Sequence, residues 1–88
     1  MQFITLRTIG SVSSLVGFHE ATVSCNGPLT LSAILDELKG RYPLFSKYLG
    51  RADIEDNLMI CCADRELHLD STVQPGDKLL LITPVSGG

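Results

Sequence analysis

The stretch Lys78-Leu79-Leu80-Leu81-Ile82-Thr83, followed by Pro84-Val85-Ser86-Gly87-Gly88, decides the fold. Leu79 to Ile82 form an unbroken apolar run. In a strand, successive side chains point to opposite faces, so two of the four face one side of a sheet and two the other. Alternation alone does not choose between the pairs. The assignment adopted is Leu79 and Leu81 inward, Leu80 and Ile82 outward. An outward pair is an apolar patch, the kind of surface that marks a partner site, unless something else in the chain covers it.

Upstream of that strand the sequence offers one clear helix. Thr30 suits an N-cap, since its hydroxyl accepts from a backbone N–H of the first turn. Leu31, Ile34, Leu35 and Leu38 then recur at helical spacing and build one apolar stripe. Pro43 disfavours helical geometry at Tyr42 and stops the helix there or just before. Leu44 to Leu49 suggests a second, short helical turn carrying Phe45, Tyr48 and Leu49. Gln2 to Ile9 alternates as a strand, with Ile4 and Leu6 on one side and Phe3, Thr5 and Arg7 on the other. Gly10 to Ser14 reads as a loop. A second strand spans His19 to Cys25 and ends at Asn26-Gly27-Pro28. Leu58 to Cys62 is a short strand, Ala63 to Glu66 a turn, and Leu67 to Leu69 its return. Asp70 to Gly76 is a connection, and Gln74-Pro75-Gly76-Asp77 a turn with proline and glycine at its centre.

The predicted class is α+β: a mixed sheet of four to five strands with one main helix on one face. One helix covers one face, so the other is left for solvent or a partner. The domain covers residues 1–83, and residues 84–88 form a flexible tail.

Composition agrees with a small globular domain. The chain has 88 residues, of which 44% are hydrophobic and 19% charged. That length holds one modest core and no second domain. The net charge of −3 argues against nucleic acid, which asks for a basic footprint. No apolar run approaches the ~20 residues that cross a bilayer, so no membrane association is expected. Met1 to Arg7 lacks a charged leader ahead of an apolar core, so no secretion signal is expected. Three cysteines are too few for a disulfide scaffold. Free thiols favour a reducing compartment, and the expected location is the cytoplasm.

The tail carries the chemistry. Pro84 removes a backbone donor and stops sheet pairing. Glycine lacks Cβ, so Gly87-Gly88 can thread a narrow channel in another enzyme. A terminal carboxylate is a poor electrophile that adenylation with ATP would activate. Such a protein needs no base, nucleophile or metal of its own.

The segment from Gly76-Asp77 through the apolar strand to Pro84-Val85-Ser86-Gly87-Gly88 resembles the C-terminal signature of the MoaD/ThiS family of ubiquitin-like sulfur carriers. It is most similar to the small subunits of molybdopterin synthase. Thr30 to Leu38 with Arg41-Tyr42-Pro43 resembles that family's helix and its exit. The hairpin turn at Ala63 and the residue before Pro84, Thr83, depart from the family pattern. The resemblance implies a β-grasp fold and a mechanism. An E1-like enzyme adenylates Gly88, a sulfur donor makes it a thiocarboxylate, and the large synthase subunit uses the sulfur to build the pterin dithiolene of the molybdenum or tungsten cofactor. It assigns Gly88 as the reactive residue, and Leu80, Ile82, Pro84, Val85, Ser86 and Gly87 as partner-binding. ATP is used by the partner, no cofactor is bound, and the chain is not catalytic alone. Carriers for thiamine, cysteine or tRNA thiolation share such a tail, as do protein modifiers; a plain interaction module is the third alternative.

Other residues read structurally. Cys25, Cys61 and Cys62 fit no zinc spacing, and neighbouring Cys61 and Cys62 diverge on a strand. His19 and His68 are isolated surface residues. Asp53, Glu55 and Asp56 read as a solvated acidic loop, and Asp70 and Asp77 as turn residues. Arg7, Arg65 and Lys78 read as surface charges. No phosphate-binding glycine motif is present.

Overall fold

The computed structural model describes residues 2–50 and 59–82. Its elements are β1 (Gln2–Thr8), α1 (Val12–Val16), β2 (Glu20–Cys25), β3 (Leu29–Thr30), α2 (Leu31–Arg41), α3 (Pro43–Leu49), β4 (Met59–Cys62), β5 (Arg65–Leu67), β6 (Thr72–Val73) and β7 (Lys78–Ile82). Five strands form one mixed sheet in the order β2-β1-β7-β4-β5, and β3 pairs with β6 in a small second sheet. The apolar strand β7 lies in the middle. It runs parallel to β1, with Leu6 beside Leu79, and antiparallel to β4, with Ile60 beside Leu81.

Strand alternation sorts the sheet into two faces. Ile4, Leu6, Ala21, Val23, Ile60, Leu67, Leu79 and Leu81 are buried against the helical layer. From α2 come Leu31, Ile34, Leu35 and Leu38, all buried. Removing each such side chain from water contributes about 1.5–3 kcal/mol. Phe45 and Tyr48 add the buried face of α3. Thr30 caps α2 as expected, its hydroxyl accepting from the Ala33 N–H at 3.2 Å. Leu31 and Ser32 donate their N–H groups to the carbonyls of Ser71 and Leu69, both at 2.9 Å, so loop 69–71 satisfies the helix start. Replacing Thr30 by alanine is expected to cost about 1 kcal/mol, read from chemical denaturation.

Tyr42, extended at φ −122°, joins α2 to α3. Its ring packs on Phe18 with centroids 4.6 Å apart, and Phe18 meets Phe45 edge-on at 5.4 Å. That cluster ties α1 and its exit to the helical layer.

Four expectations need correction. Gly10 to Ser14 is not a loop throughout, because Val12 opens a one-turn helix. Val12 and Val16, four apart, both bury, and Gly17 ends the helix at φ +88°. The return strand starts at Arg65 and not at Leu67: Ala63-Asp64 is a two-residue turn, so Cys62 pairs with Arg65. The 70–76 connection contains β6, which pairs with β3; these two-residue strands exist only through each other. The first two strands end or begin one residue inside the expected limits, at Thr8 and Glu20.

The turn ahead of β7 is as predicted. Asp77 donates its N–H to the Gln74 carbonyl at 3.1 Å, and its Oδ2 accepts from the Gln74 N–H at 3.0 Å. Gly76 sits at φ +90°, where other residues are strained. Ala63, at φ +59°, carries that strain in the β4–β5 turn. Ala63→Gly is expected to leave stability unchanged or raise it by up to about 1 kcal/mol, as relief of strain offsets the entropy of glycine. A denaturation midpoint comparison checks this.

Candidate functional site

The face of the sheet turned away from the helices is open. On it alternation places Phe3, Thr5 and Arg7 of β1, Lys78, Leu80 and Ile82 of β7, and Met59 and Cys61 of β4. Leu79 and Leu81 are 1% and 0% exposed, whereas Leu80 and Ile82 are half-buried on the opposite side. The inward and outward assignment of the apolar run is therefore the one adopted from the sequence.

Register explains why the two outward residues form part of a patch. Ile82 lies beside Met59 and Leu80 beside Cys61 across the β4–β7 ladder. Arg7 lies beside Leu80 on the β1 side, and Thr5 beside Lys78. Arg7 makes an exposed ion pair with Glu20, Nε to Oε2 at 3.6 Å, of a kind worth little in water. The sequence alone does not place Met59 and Cys61 on this face. Their alternation with Ile60 and Cys62 carries that signal, but only once β4 is known to lie beside β7.

Arg65 alternates onto the other side, with Leu67, and lies beside Cys62. The Cys62 thiol is pushed up by burial, with the Asp77 charge adding to the rise and Arg65 opposing it. The unfolded thiol ionises first, so this group's stabilisation is present below its ordinary ionisation range and falls as pH rises through it. The same shift makes Cys62 a poor nucleophile. Cys62 packs against the core, and Cys61 does not share that face. In native protein, Cys61 is expected to react with maleimide faster than Cys62, by peptide mapping. Cys25 is buried, with its thiol 3.8 Å from the Gln2 carbonyl.

No group of three metal-ligating side chains occurs among the described residues. His19 and His68 are exposed and separate. A concavity of about 440 Å³ lies on the helical side, between α2 and the β4–β5 hairpin. Leu31, Leu35, Ile60 and Leu67 line it, and its charged rim residues Asp36 and Lys39 pair with each other at 3.2 Å. Ser32, Glu66 and His68 also line it. No helix among the described residues is long and apolar enough to cross a membrane. Pro84, Val85, Ser86, Gly87 and Gly88, like Asp53, Glu55 and Asp56, lie outside the described residues.

A mixed five-stranded sheet grasping one main helix, with its middle strand leading to the last residues, is the β-grasp of ubiquitin-like proteins. The profile of the ThiS family matches residues 7–88, and the chain belongs to that family. Two crystal structures of small archaeal modifier protein 1 (SAMP1) from Haloferax volcanii superimpose with TM-scores of 0.80 and 0.79, at 25% and 22% identity. They cover 98% and 97% of this chain, and 99% and 100% of theirs. A putative molybdopterin converting factor, subunit 1, from Pyrococcus furiosus gives 0.75 at 20% identity, over 97% of this chain and all of that one. No curated protein matches by sequence. The chain is thus a ubiquitin-like sulfur carrier or modifier of the ThiS/MoaD type.

Proposed function

We propose that this protein is the sulfur carrier of molybdopterin synthesis, with Gly88 as its terminal and reactive residue. The Gly88 carboxylate attacks the α-phosphorus of ATP on an E1-like adenylating enzyme, and pyrophosphate leaves. Hydrosulfide released by the sulfur donor then attacks the acyl carbon, AMP leaves, and a thiocarboxylate remains. Val85, Ser86 and Gly87 thread the partner's channel, Pro84 separates them from the sheet, and Leu80 and Ile82 dock. In the large synthase subunit the thiocarboxylate passes its sulfur to a pterin precursor. ATP is bound by the partner and no cofactor by the carrier. Three free thiols suit a reducing cytoplasm.

The observation that carries this reading is the ThiS family match, which extends to Gly88 and so includes the Gly-Gly end. The likeness to a molybdopterin converting factor subunit supports the choice of pathway. Incubation with the adenylating enzyme, ATP and a sulfur donor is expected to yield intact protein with sulfur in place of one terminal oxygen. Adding the large subunit and the pterin precursor is expected to return the carboxylate and form the dithiolene. A sulfur-free terminus under these conditions overturns the reading.

The likeness to small archaeal modifier protein 1 favours a second role, in which a lysine amine takes the activated acyl group. It predicts slower-migrating adducts on denaturing gels that vanish when Gly88 is deleted.

A further inference from the structure

We propose that Arg41 guards the β2 edge of the sheet against the β2 edge of a second copy of this chain. Removing its guanidinium converts the protein into an antiparallel, strand-paired dimer.

Strand order leaves β2 and β5 at the two margins of the sheet. β5 is three residues long and carries Arg65 and Glu66, and short, charged edges resist pairing. β2 is six residues long, so it is the edge at risk. Its free groups follow from the register. Thr8 donates its N–H to the His19 carbonyl at 2.9 Å, whereas Thr5 donates to the Asp77 carbonyl, away from β2. Bonded and non-bonded pairs alternate along an antiparallel ladder, so Ala21, Val23 and Cys25 bond to β1. Glu20, Thr22 and Ser24 therefore turn their N–H and C=O groups outward.

Those three residues are self-complementary. Antiparallel pairing about a two-fold axis at Thr22 sets Thr22 against its own copy and Glu20 against the other chain's Ser24. This register uses every outward group, keeps the two Glu20 carboxylates at opposite ends, and closes on itself as a dimer.

Arg41 sits on that axis. Its Nη1 donates to the Thr22 carbonyl at 2.6 Å, and its Nη2 to Glu37 Oε2 at 3.2 Å, one helical turn back. A planar guanidinium held at both ends loses little further freedom in making the bond. Among the described residues, no other hydrogen bond reaches the outward groups of β2. The guard acts twice. It takes the central acceptor that the second strand's Thr22 N–H would use. Pairing would also bring two guanidinium groups to one axis, where like charges repel.

The test is sedimentation equilibrium of the full chain, with circular dichroism to verify folding. The unaltered chain is expected to be monomeric, and Arg41→Ala to associate as a dimer at least about tenfold more tightly. Arg41→Met keeps the aliphatic stem over the strand and is expected to do the same, so the question survives if the alanine variant unfolds. Adding Thr22→Pro to either variant is expected to restore the monomer, because proline there removes the outward donor and no bond to β1. Lys39→Ala makes the same change of net charge from the same helix and is expected to leave the monomer intact. A dimeric unaltered chain, folded Arg41 variants that stay monomeric, a dimer that survives Thr22→Pro, or equal association of Lys39→Ala overturns the proposal. The sulfur-carrier reading stands or falls separately, on the terminal thiocarboxylate.

Discussion

Extending the chain by one alanine after Gly88 is expected to abolish thiocarboxylate formation and leave thermal unfolding unchanged. In the proposed mechanism the reacting group is the Gly88 carboxylate: its oxygen attacks ATP, and its carbon then takes the sulfur. An added residue moves that carbon by about 3.5 Å along an extended chain. Misplacement by about 1 Å can cost a hundredfold in rate, so the loss of adenylation is expected to exceed a hundredfold. Gly88→Ala probes a different cause, since it keeps the length and adds one Cβ to a residue that must pass a narrow channel. It is expected to be impaired less than the extended chain. The core is built from residues 4–81, so neither change touches it. Exchange of labelled pyrophosphate measures the first step, and intact mass the second. An extended chain that still carries sulfur would sink the reading of Gly88 as the reactive residue.

Much of this architecture is legible because the dominant signals are local. Leu31, Ile34, Leu35 and Leu38 predict the helix because their spacing is the helix period, and all four are buried. The run Leu79 to Ile82 predicts a strand with two apolar faces, and the sheet bears this out. Elements that depend on remote partners are the ones missed. β3 and β6 are two residues each and pair only with one another across some forty residues of chain. The helix at Val12 hides in a glycine- and serine-rich stretch and exists because Val12 and Val16 find the core. Ala63 in the tight turn gives no warning, since a positive φ is read from glycine or asparagine and not from alanine. The site shows the same division. Leu80 and Ile82 are visible on their own strand, whereas Met59 and Cys61 become neighbours only through the register of β4 on β7.

That division of one strand between two jobs has a direct measure in stability. Leu81→Ala is expected to cost about 3 kcal/mol, and Ile82→Ala about 1 kcal/mol or less. Both substitutions remove apolar carbons from adjacent positions, so strand propensity and chain entropy largely cancel in the comparison. What differs is the environment. Leu81 is 0% exposed, and its neighbour across the ladder, Ile60, is 1% exposed, so truncation leaves a cavity in the core. Ile82 is half-buried beside Met59 on the open face, where water fills the space left. For a domain of this size, whose total stability is about 4–13 kcal/mol, the first loss is a large fraction of the whole. It corresponds to a fall in Tm of roughly 12–24 °C, against a few degrees for the second. Function is expected to divide the other way. At a temperature where both variants are folded, the proposed function expects Leu81→Ala to keep the KM for adenylation and Ile82→Ala to raise it, because on that proposal only Ile82 meets the partner. Equal stability losses at the two positions would refute the division of faces, and equal KM values would refute the role given to the outward one.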